Sequence, residues 1–148
     1  MLDIYYHPLP LFIWGCCWGS FLNVIFYRYP LGKSIIYPGS ACPGCNKSIA
    51  FYDNIPVLSW LFLLGRCRRC KTGISPKYPA VETFYGIVSS SGYWLYPNHW
   101  PLGICISCFL LAFLPLLVLL IKHKRAPWYL WLLSLVGLTC YLVQLSRI

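Results

Sequence analysis

Four cysteines lie in two matched pairs, C-P-G-C at residues 42–45 and C-R-R-C at residues 67–70, with 21 residues between the pairs. In each pair two residues separate the thiols, a spacing that folds as a tight knuckle and directs both sulfurs at one ion. Two knuckles supply four thiolates, the ligand set of a tetrahedral structural zinc site. The spacing therefore predicts a zinc ribbon with four ligands and no coordination position left for water. The predicted ligands are Cys42, Cys45, Cys67 and Cys70.

Most of the remaining chain has the composition of a membrane protein. Of the 148 residues, 59% are hydrophobic and only 10% are charged, whereas soluble domains carry about 25% charged residues. Runs without Asp, Glu, Lys or Arg occupy residues 4–27, 83–121 and 126–146. About 20 apolar residues cross a bilayer, so the middle run, interrupted by Y-P-N-H-W-P at residues 96–101, is long enough for two helices. We predict an all-α polytopic membrane protein with about four transmembrane helices and a small cytoplasmic zinc-ribbon loop.

The second predicted span is the least hydrophobic of the four. The serines and glycine of S-S-S-G at residues 89–92 dilute it, and Glu82 lies at its entrance. Small residues favour close packing between helices, as expected of a span inside a bundle. The alternative is a chain with three spans, in which this segment lies along the membrane interface. With four spans, we predict a first transmembrane helix at residues 1–28 and a cytoplasmic zinc-ribbon loop with four cysteine ligands at residues 29–78. About three transmembrane helices then occupy residues 79–148.

The basic residues predict the orientation of the chain. Eight of the 12 Lys and Arg residues lie between the first and second spans, three lie between the third and fourth, and Arg147 alone falls on the other side. Because cytoplasmic loops are enriched in basic residues, we expect the ribbon in the cytoplasm and Asp3 outside. No basic residue precedes the first apolar run, which argues against a cleaved signal peptide. The net charge of +9 then indicates topology and contact with membrane lipids rather than nucleic-acid binding.

A cytoplasmic ribbon would keep its thiols reduced, so the two pairs are interpreted as metal ligands rather than as disulfides. Thiol–disulfide exchange is an alternative, and it would require one exposed thiol of low pKa. The five remaining cysteines lie within predicted spans, where cysteine packs as a small apolar residue. They are Cys16, Cys17, Cys105, Cys108 and Cys140.

Longer patterns accompany the cysteine pairs. They are G-S-F-L-N-V-I-F-Y-R-Y-P at 19–30, C-P-G-C at 42–45, D-N-I-P-V-L-S-W-L at 53–61, and G-R-C-R-R-C at 65–70 followed by I-S-P-K-Y-P-A-V-E at 74–82. In this order and spacing they resemble the prepilin peptidases of type IV pilus and type II secretion systems. The resemblance covers roughly residues 15–85. It implies an inner-membrane aspartic protease that removes the basic leader of prepilins and pseudopilins.

The resemblance also implies a location, partners and cofactors. It implies a multi-pass protein of the bacterial inner membrane that contacts membrane lipids, with prepilins, pseudopilins or inner-membrane components of a secretion system as partners. Many members of the family methylate the new N-terminus with S-adenosylmethionine, which is implied as a cofactor here only if that activity survives. No recognisable motif for binding S-adenosylmethionine occurs in the sequence.

Four positions of the family signature are expected to have structural roles. Gly19 permits close helix contact, and Asn23, which is polar within a span, requires a hydrogen-bond partner in the bundle. Arg28 marks the cytoplasmic exit of the first helix. Glu82, at the entrance of the second span, is expected to cap backbone N–H groups or to pair with a loop arginine.

The resemblance does not extend to the catalytic half of the family. The family places one catalytic aspartate shortly before an H-x-x-L-P-D segment and the other in G-x-G-D. Here H-K-R-A-P-W at residues 123–128 takes the place of the first segment, and Leu120 stands in register with the aspartate. Trp128 replaces the carboxylate that follows the proline, and G-x-G-D does not occur.

The acidic residues are too few and too scattered for aspartic-protease chemistry, in which two carboxylates share a proton and activate water. The sequence contains only Asp3, Asp53 and Glu82, and none occupies a catalytic position of the family. We therefore expect no catalytic residues and a degenerate or truncated peptidase that does not cleave leaders by itself. A membrane scaffold for pilin or secretion components is the alternative, and residual N-methyltransferase activity is a third hypothesis.

Overall fold

The computed structural model of the chain describes residues 7–147, so Asp3 lies outside the described residues. Its helices are α1 Pro8–Arg28, α2 Leu58–Phe62, α3 Lys77–Leu95, α4 Trp100–His123 and α5 Trp128–Leu145, with 3-10 turns at Tyr29–Leu31 and Phe51–Asn54. Within residues 7–147 no β-strand forms, and only two isolated antiparallel bridges occur. The predicted all-α fold is confirmed.

Local sequence explains where the long helices begin and end. The His7 ring nitrogen Nδ1 accepts a hydrogen bond from the backbone N–H of Leu9 (3.3 Å) at the start of α1, and Pro8 takes a first-turn position whose N–H is not needed. The predicted break at residues 96–101 separates α3 from α4. Lys124 ends α4 in the left-handed conformation, with its N–H bonded to the Leu120 carbonyl.

Among residues 7–147, three helical segments are long and apolar enough to cross a membrane, Pro8–Leu31, Trp100–His123 and Trp128–Leu145. Helix α3 does not reach that hydropathy, yet it packs against both α1 and α4. A Cβ atom at Gly15 of α1 would meet the Tyr85 carbonyl of α3, and one at Gly92 of α3 would meet Gly103 of α4. Such close approach needs small residues at the crossing. Helix α3 is thus a central member of a bundle with about four spans rather than a separate segment along the interface.

The core joins all four long helices toward the end of the bundle where the ribbon is attached. Its buried members are Leu22, Ile25, Tyr85, Leu111, Leu116, Leu119 and Leu130. Trp18 of α1 donates its indole N–H to the Leu111 carbonyl of α4 (2.8 Å), which satisfies a polar group inside the bundle. Large apolar side chains remain exposed on the outer faces, among them Trp131 and Leu135 of α5. Lipid is the solvent that suits such faces.

A disulfide joins Cys105 of α4 to Cys140 of α5. The prediction that both residues are simple apolar packing residues is therefore wrong. The two Cα atoms are 5.8 Å apart, which lies within the range of about 4.4–6.8 Å typical of disulfides. Since α4 begins and α5 ends at the side of the bundle away from the ribbon, the bond lies far from the four paired cysteines. Only the packing of α4 on α5 reveals this pair, because 35 residues separate its members.

We expect Cys105 and Cys140 to resist alkylation in denaturant before reduction and to react after it. Cys108, a free cysteine one turn further along α4, should react in both cases and is the matched control. In the Cys105→Ser variant, Cys140 should become reactive without reduction. Mass spectrometry of the alkylated peptides measures each site, and full labelling of Cys140 in the unreduced wild-type chain would contradict the prediction.

Candidate metal centre

Backbone hydrogen bonds close the first knuckle. The N–H of Cys42 donates to the Lys47 carbonyl (3.0 Å), and the N–H of Asn46 donates to the Cys42 carbonyl (2.8 Å). Asn46 has a φ of 54°, a left-handed conformation that asparagine tolerates better than most residues. The turn brings Cys45 back toward Cys42, so the short spacing of the pair is sufficient to converge two sulfurs.

The second knuckle repeats the bonding pattern of the first. The N–H of Cys67 donates to the Thr72 carbonyl (2.9 Å), and the N–H of Lys71 donates to the Cys67 carbonyl (3.0 Å). Lys71 takes the left-handed position that corresponds to Asn46, with a φ of 60°. A bridge between Arg66 and Gly73 closes the turn. The two cysteine pairs are therefore two copies of one local structure.

The two knuckles face each other and bring four sulfur atoms together. All four Sγ atoms lie within 4.8 Å of one another, and those of Cys42 and Cys70 are 3.6 Å apart. A tetrahedral ion with metal–sulfur bonds of about 2.3 Å would separate its sulfurs by about 3.8 Å. The donor set and its dimensions fit one zinc ion. A Cβ atom at Gly44 would lie 2.5 Å from the Thr72 hydroxyl oxygen, so glycine is needed where the knuckles interlock.

Hydrogen bonds favour the thiolate form of two of the sulfurs. The backbone N–H groups of Cys70 and Arg69 lower the pKa of the Cys67 thiol. The Thr72 hydroxyl oxygen, 3.2 Å from the Cys70 sulfur, lowers the pKa of the Cys70 thiol to about 6. Because metal ions bind thiolates, these contacts prepare the second knuckle for ligation near neutral pH.

Arg28 attaches the segment before the first knuckle to the last turn of α1. Its guanidinium donates to the carbonyls of Ser34 (3.2 Å), Pro38 (2.7 Å) and Gly39 (3.2 Å). Charge-assisted hydrogen bonds of this kind are stronger than neutral ones. The sequence indicated Arg28 as the exit of the first helix, but nothing in the spacing identified the three carbonyls that it binds.

Glu82 attaches the middle of the loop to α3. Its side chain is 8% exposed, and its carboxylate accepts the N–H of Val57 at 2.6 Å. Val57 has φ and ψ of 62° and −54°, a conformation that is strained for a β-branched residue. The carboxylate thus accepts a backbone N–H, as one of the two expectations from sequence stated, but this N–H belongs to the loop residue that precedes α2 and not to α3.

Gly19 and Asn23 lie where α1 crosses α3. A Cβ atom at Gly19 would lie 2.8 Å from the Glu82 Cα, and the Asn23 amide donates to the Tyr78 carbonyl (3.2 Å). The structure thus brings Gly19, Asn23 and Glu82 to one helix crossing, directly below the ribbon. This crossing and the Arg28 contacts determine how the ribbon sits on the bundle.

Trp60 of α2 packs under the second knuckle. Its indole N–H donates to the Ile74 carbonyl (2.9 Å), and a Cβ atom at Gly65 would lie 2.7 Å from its ring. Gly65 also has a φ of 65°, so glycine is favoured there on two grounds. The apolar stretch at residues 57–64 packs through Trp60, while Leu61 and Phe62 remain exposed.

Asp53 forms the one ion pair found among residues 7–147. Arg68 of the second knuckle binds both its carboxylate oxygens, with an Nη2–Oδ1 distance of 2.7 Å and an Nε–Oδ2 distance of 2.9 Å. The hydrogen bonds and charge of Arg68 hold the pKa of the Asp53 carboxyl below its ordinary value. The Arg68 guanidinium also lies 5.6 Å from the centre of the Tyr52 ring. Sequence reasoning missed this contact, which links the middle of the loop to the second knuckle.

We expect Glu82→Leu to expose the loop around Val57 to proteolysis while zinc content stays at that of the wild type. The substitution leaves the partly buried N–H of Val57 without its charged acceptor, a loss of about 1.5–3 kcal/mol for a hydrogen bond to a charged group. Glu82→Gln keeps an acceptor oxygen and should show a smaller effect. Time courses of limited proteolysis in detergent, with mapping of the cleaved bonds, measure the difference. Equal protection of the Leu and wild-type proteins would contradict the prediction.

Comparison with known families identifies the region that contains this site. The family model of the bacterial peptidase A24 N-terminal domain matches residues 13–96, a range that includes both knuckles, the helix crossing and all four signature positions. No solved structure matches the chain significantly.

Curated relatives agree with that match. The chain is 53% identical over 78 residues to a prepilin leader peptidase/N-methyltransferase of Myxococcus xanthus, covering 53% of this chain and 23% of the relative. It is 42% identical over 111 residues to a protein of the same name from Klebsiella pneumoniae, covering 70% and 49%. It is 37% identical over 125 residues to a type 4 prepilin-like proteins leader peptide-processing enzyme of Escherichia coli, covering 71% and 46%. The chain thus spans less than half of the length of these relatives.

Proposed function

The chain belongs to the family of the bacterial peptidase A24 N-terminal domain, and from that premise we propose a leader-peptidase-like protein of the bacterial inner membrane. We further propose that its 148 residues do not cleave leader peptides by themselves. The names of the relatives supply the substrate class, prepilins. The absence of a free pair of carboxylates among residues 7–147 carries the proposal of inactivity.

Both described carboxylates are already engaged in structural contacts. Asp53 binds Arg68 through both oxygens, and its lowered pKa makes it a weak proton acceptor. Glu82 is buried and holds the Val57 N–H. Aspartic-protease chemistry needs two carboxylates that share one proton and one water molecule, and neither residue is free to form such a pair.

Apolar residues stand at the family's catalytic positions within this chain. Leu120, in register with the first catalytic aspartate, lies on α4 and packs partly against the core. Trp128, in place of the carboxylate after the proline, is the first residue of α5 and is 73% exposed. Neither side chain can act as a general acid or base, so this end of the bundle offers no proton-transfer group at these two positions.

We propose that the four cysteines hold one structural zinc ion. The sulfur distances fit the ion, and four thiolates leave no open position for water or substrate. The zinc would hold the two knuckles together and thereby position the loop against α1 and α3. Its chemical role would be structural rather than catalytic.

We propose that the ribbon faces the cytoplasm. All the Lys and Arg residues except Arg147 lie at the ribbon end of the bundle, as the positive-inside rule requires of the cytoplasmic side. The Cys105–Cys140 disulfide lies at the opposite end, where an oxidising periplasm would maintain it. Reduced cysteine ligands at the ribbon end of the bundle and an oxidised cysteine pair at the opposite end support the same orientation.

Coexpression with a prepilin tests the proposal of inactivity. In cells that lack other leader peptidases, we expect residues 1–148 to leave the prepilin uncut, while the relative from Klebsiella pneumoniae in the same cells removes the leader. Efficient processing by this chain would overturn the proposal. Transfer of a labelled methyl group from S-adenosylmethionine to a precut pilin is the separate measurement for methyltransferase activity.

A second candidate function is a membrane scaffold for pilin or secretion components. The ribbon carries large side chains that are more than 80% exposed, Ile36, Phe51, Phe62 and Leu64, and exposed apolar patches often mark interaction sites. Pull-down of a prepilin or secretion component by the wild-type chain, lost in Phe62→Ser with Leu64→Ser, would support this function. Failure to retain such partners in mild detergent would argue against it.

A further inference from the structure

An apolar groove opens between α1, α3 and α4 at the ribbon end of the bundle. Its volume is about 290 Å³, close to the lower limit of about 300 Å³ for small-molecule sites. Phe26 of α1, Val81 and Phe84 of α3, and Val118 of α4 contribute to its walls, and Lys122 and His123 of α4 complete the lining. The groove therefore combines an apolar body with two nitrogen-bearing side chains at one end of a membrane helix.

The charge around that end is positive and uncompensated. Lys122 and His123 are exposed in the last turn of α4, and Lys124 and Arg125 follow directly. The last turn of a helix carries a partial negative charge of about half an elementary charge, which the three positive charges of Lys122, Lys124 and Arg125 exceed. Among residues 7–147, the two acids are committed elsewhere, one to Arg68 and the other to the Val57 N–H. No carboxylate from an element that lines the groove is available to neutralise Lys122.

We propose that this groove binds one anionic phospholipid from the leaflet on the ribbon side, with an acyl chain along the apolar walls and its phosphate at Lys122 and His123. The acyl chain matches the aromatic and aliphatic lining, and the phosphate matches the basic end by charge. A zwitterionic lipid carries an added positive group that would meet the same basic residues. A peptide with a basic segment would be repelled there for the same reason.

A neighbouring groove against α3 shows what distinguishes the proposed lipid site. It lies between the loop and α3, with Val57, Trp60 and Ala80 among its lining residues, and Phe84 separates it from the first groove. Within the described part of the chain, no charged residue lines it, so it offers lipid contact without a partner for a phosphate. The basic end distinguishes the proposed site from an ordinary lipid-facing surface.

Native mass spectrometry of the full chain in detergent tests the proposal. The probes are phosphatidylglycerol and phosphatidylcholine with identical acyl chains, added separately at the same concentration. We expect one retained phosphatidylglycerol per chain and weak retention of phosphatidylcholine. Lys122→Gln should lower phosphatidylglycerol affinity about fivefold, since one basic residue near a membrane surface contributes about 1 kcal/mol. Lys47→Gln removes an equal charge from the first knuckle and is the matched control, expected to change affinity less than about twofold.

A variant that blocks the groove tests the contribution of the apolar walls separately from that of the basic residues. Val118→Trp fills the apolar walls and should abolish retention of the lipid although every basic residue remains. Thermal unfolding in detergent verifies that the bundle of each variant is folded, and Lys122→Gln changes only an exposed side chain and provides an independent test. Equal retention of the two lipids, an equal loss in Lys47→Gln and Lys122→Gln, or unchanged retention in a folded Val118→Trp would each overturn the proposal.

Discussion

Replacement of Cys67 and Cys70 by serine is expected to abolish zinc binding and to unfold the ribbon loop. Two of the four sulfurs that lie within 4.8 Å of one another would be lost, and two remaining thiolates do not form a tetrahedral structural site. Zinc binding to small structural sites contributes about 10–16 kcal/mol of apparent free energy to folding. The loop has no hydrophobic core of its own that could offset such a loss, because its large side chains other than Trp60 are mostly exposed.

Zinc analysis and trypsin digestion measure this effect directly. The wild-type chain should contain one zinc per molecule, and the variant none. Arg68 and Arg69 lie inside the second knuckle, so trypsin cleavage there reports on the loop itself. Cys17→Ser with Cys108→Ser replaces two exposed free cysteines and should preserve both the zinc and the resistance to trypsin. A metal-free variant that remains as resistant as the wild type would contradict the structural role of the ion.

Gly19→Val is expected to separate α1 from α3 and to destabilise the bundle by about 1–3 kcal/mol or more, the usual cost of overpacking a close contact. A Cβ atom at this position would lie 2.8 Å from the Glu82 Cα and 3.0 Å from the Val81 carbonyl oxygen. Both are backbone atoms, so no side-chain rotation can relieve the overlap. The shift of α3 should also weaken the hydrogen bond from Asn23 to the Tyr78 carbonyl.

Thermal unfolding in detergent measures the loss of stability. Gly39→Val is the matched control, since no atom lies within 4 Å of the position that its Cβ would occupy. We expect the control to unfold within a few degrees of the wild type, and Gly19→Val to unfold at a clearly lower temperature with its zinc retained. Equal unfolding temperatures for the two variants would show that α1 and α3 do not cross as closely as described.

Short-range rules were sufficient to predict the metal-ligand cluster and the helical class from the amino-acid order. A C-x-x-C pair converges two sulfurs through one local turn, and the left-handed residue after each pair, Asn46 or Lys71, completes the same turn twice. Long apolar runs require helices in lipid because backbone groups there must be bonded within the segment. The predicted ligands were therefore found together, as expected; they are Cys42, Cys45, Cys67 and Cys70.

Only the folded structure shows which faces of helices that are distant in sequence pack together. The bond from Val57 to Glu82, the carbonyls held by Arg28 and the joining of Cys105 to Cys140 all depend on how the helices cross. The hydropathy of α3 does not identify it as a span, yet its glycines and serines place it at the centre of the bundle. This difference arises because local patterns specify turns and helices, whereas the packing of small residues against backbone selects the partners of each helix.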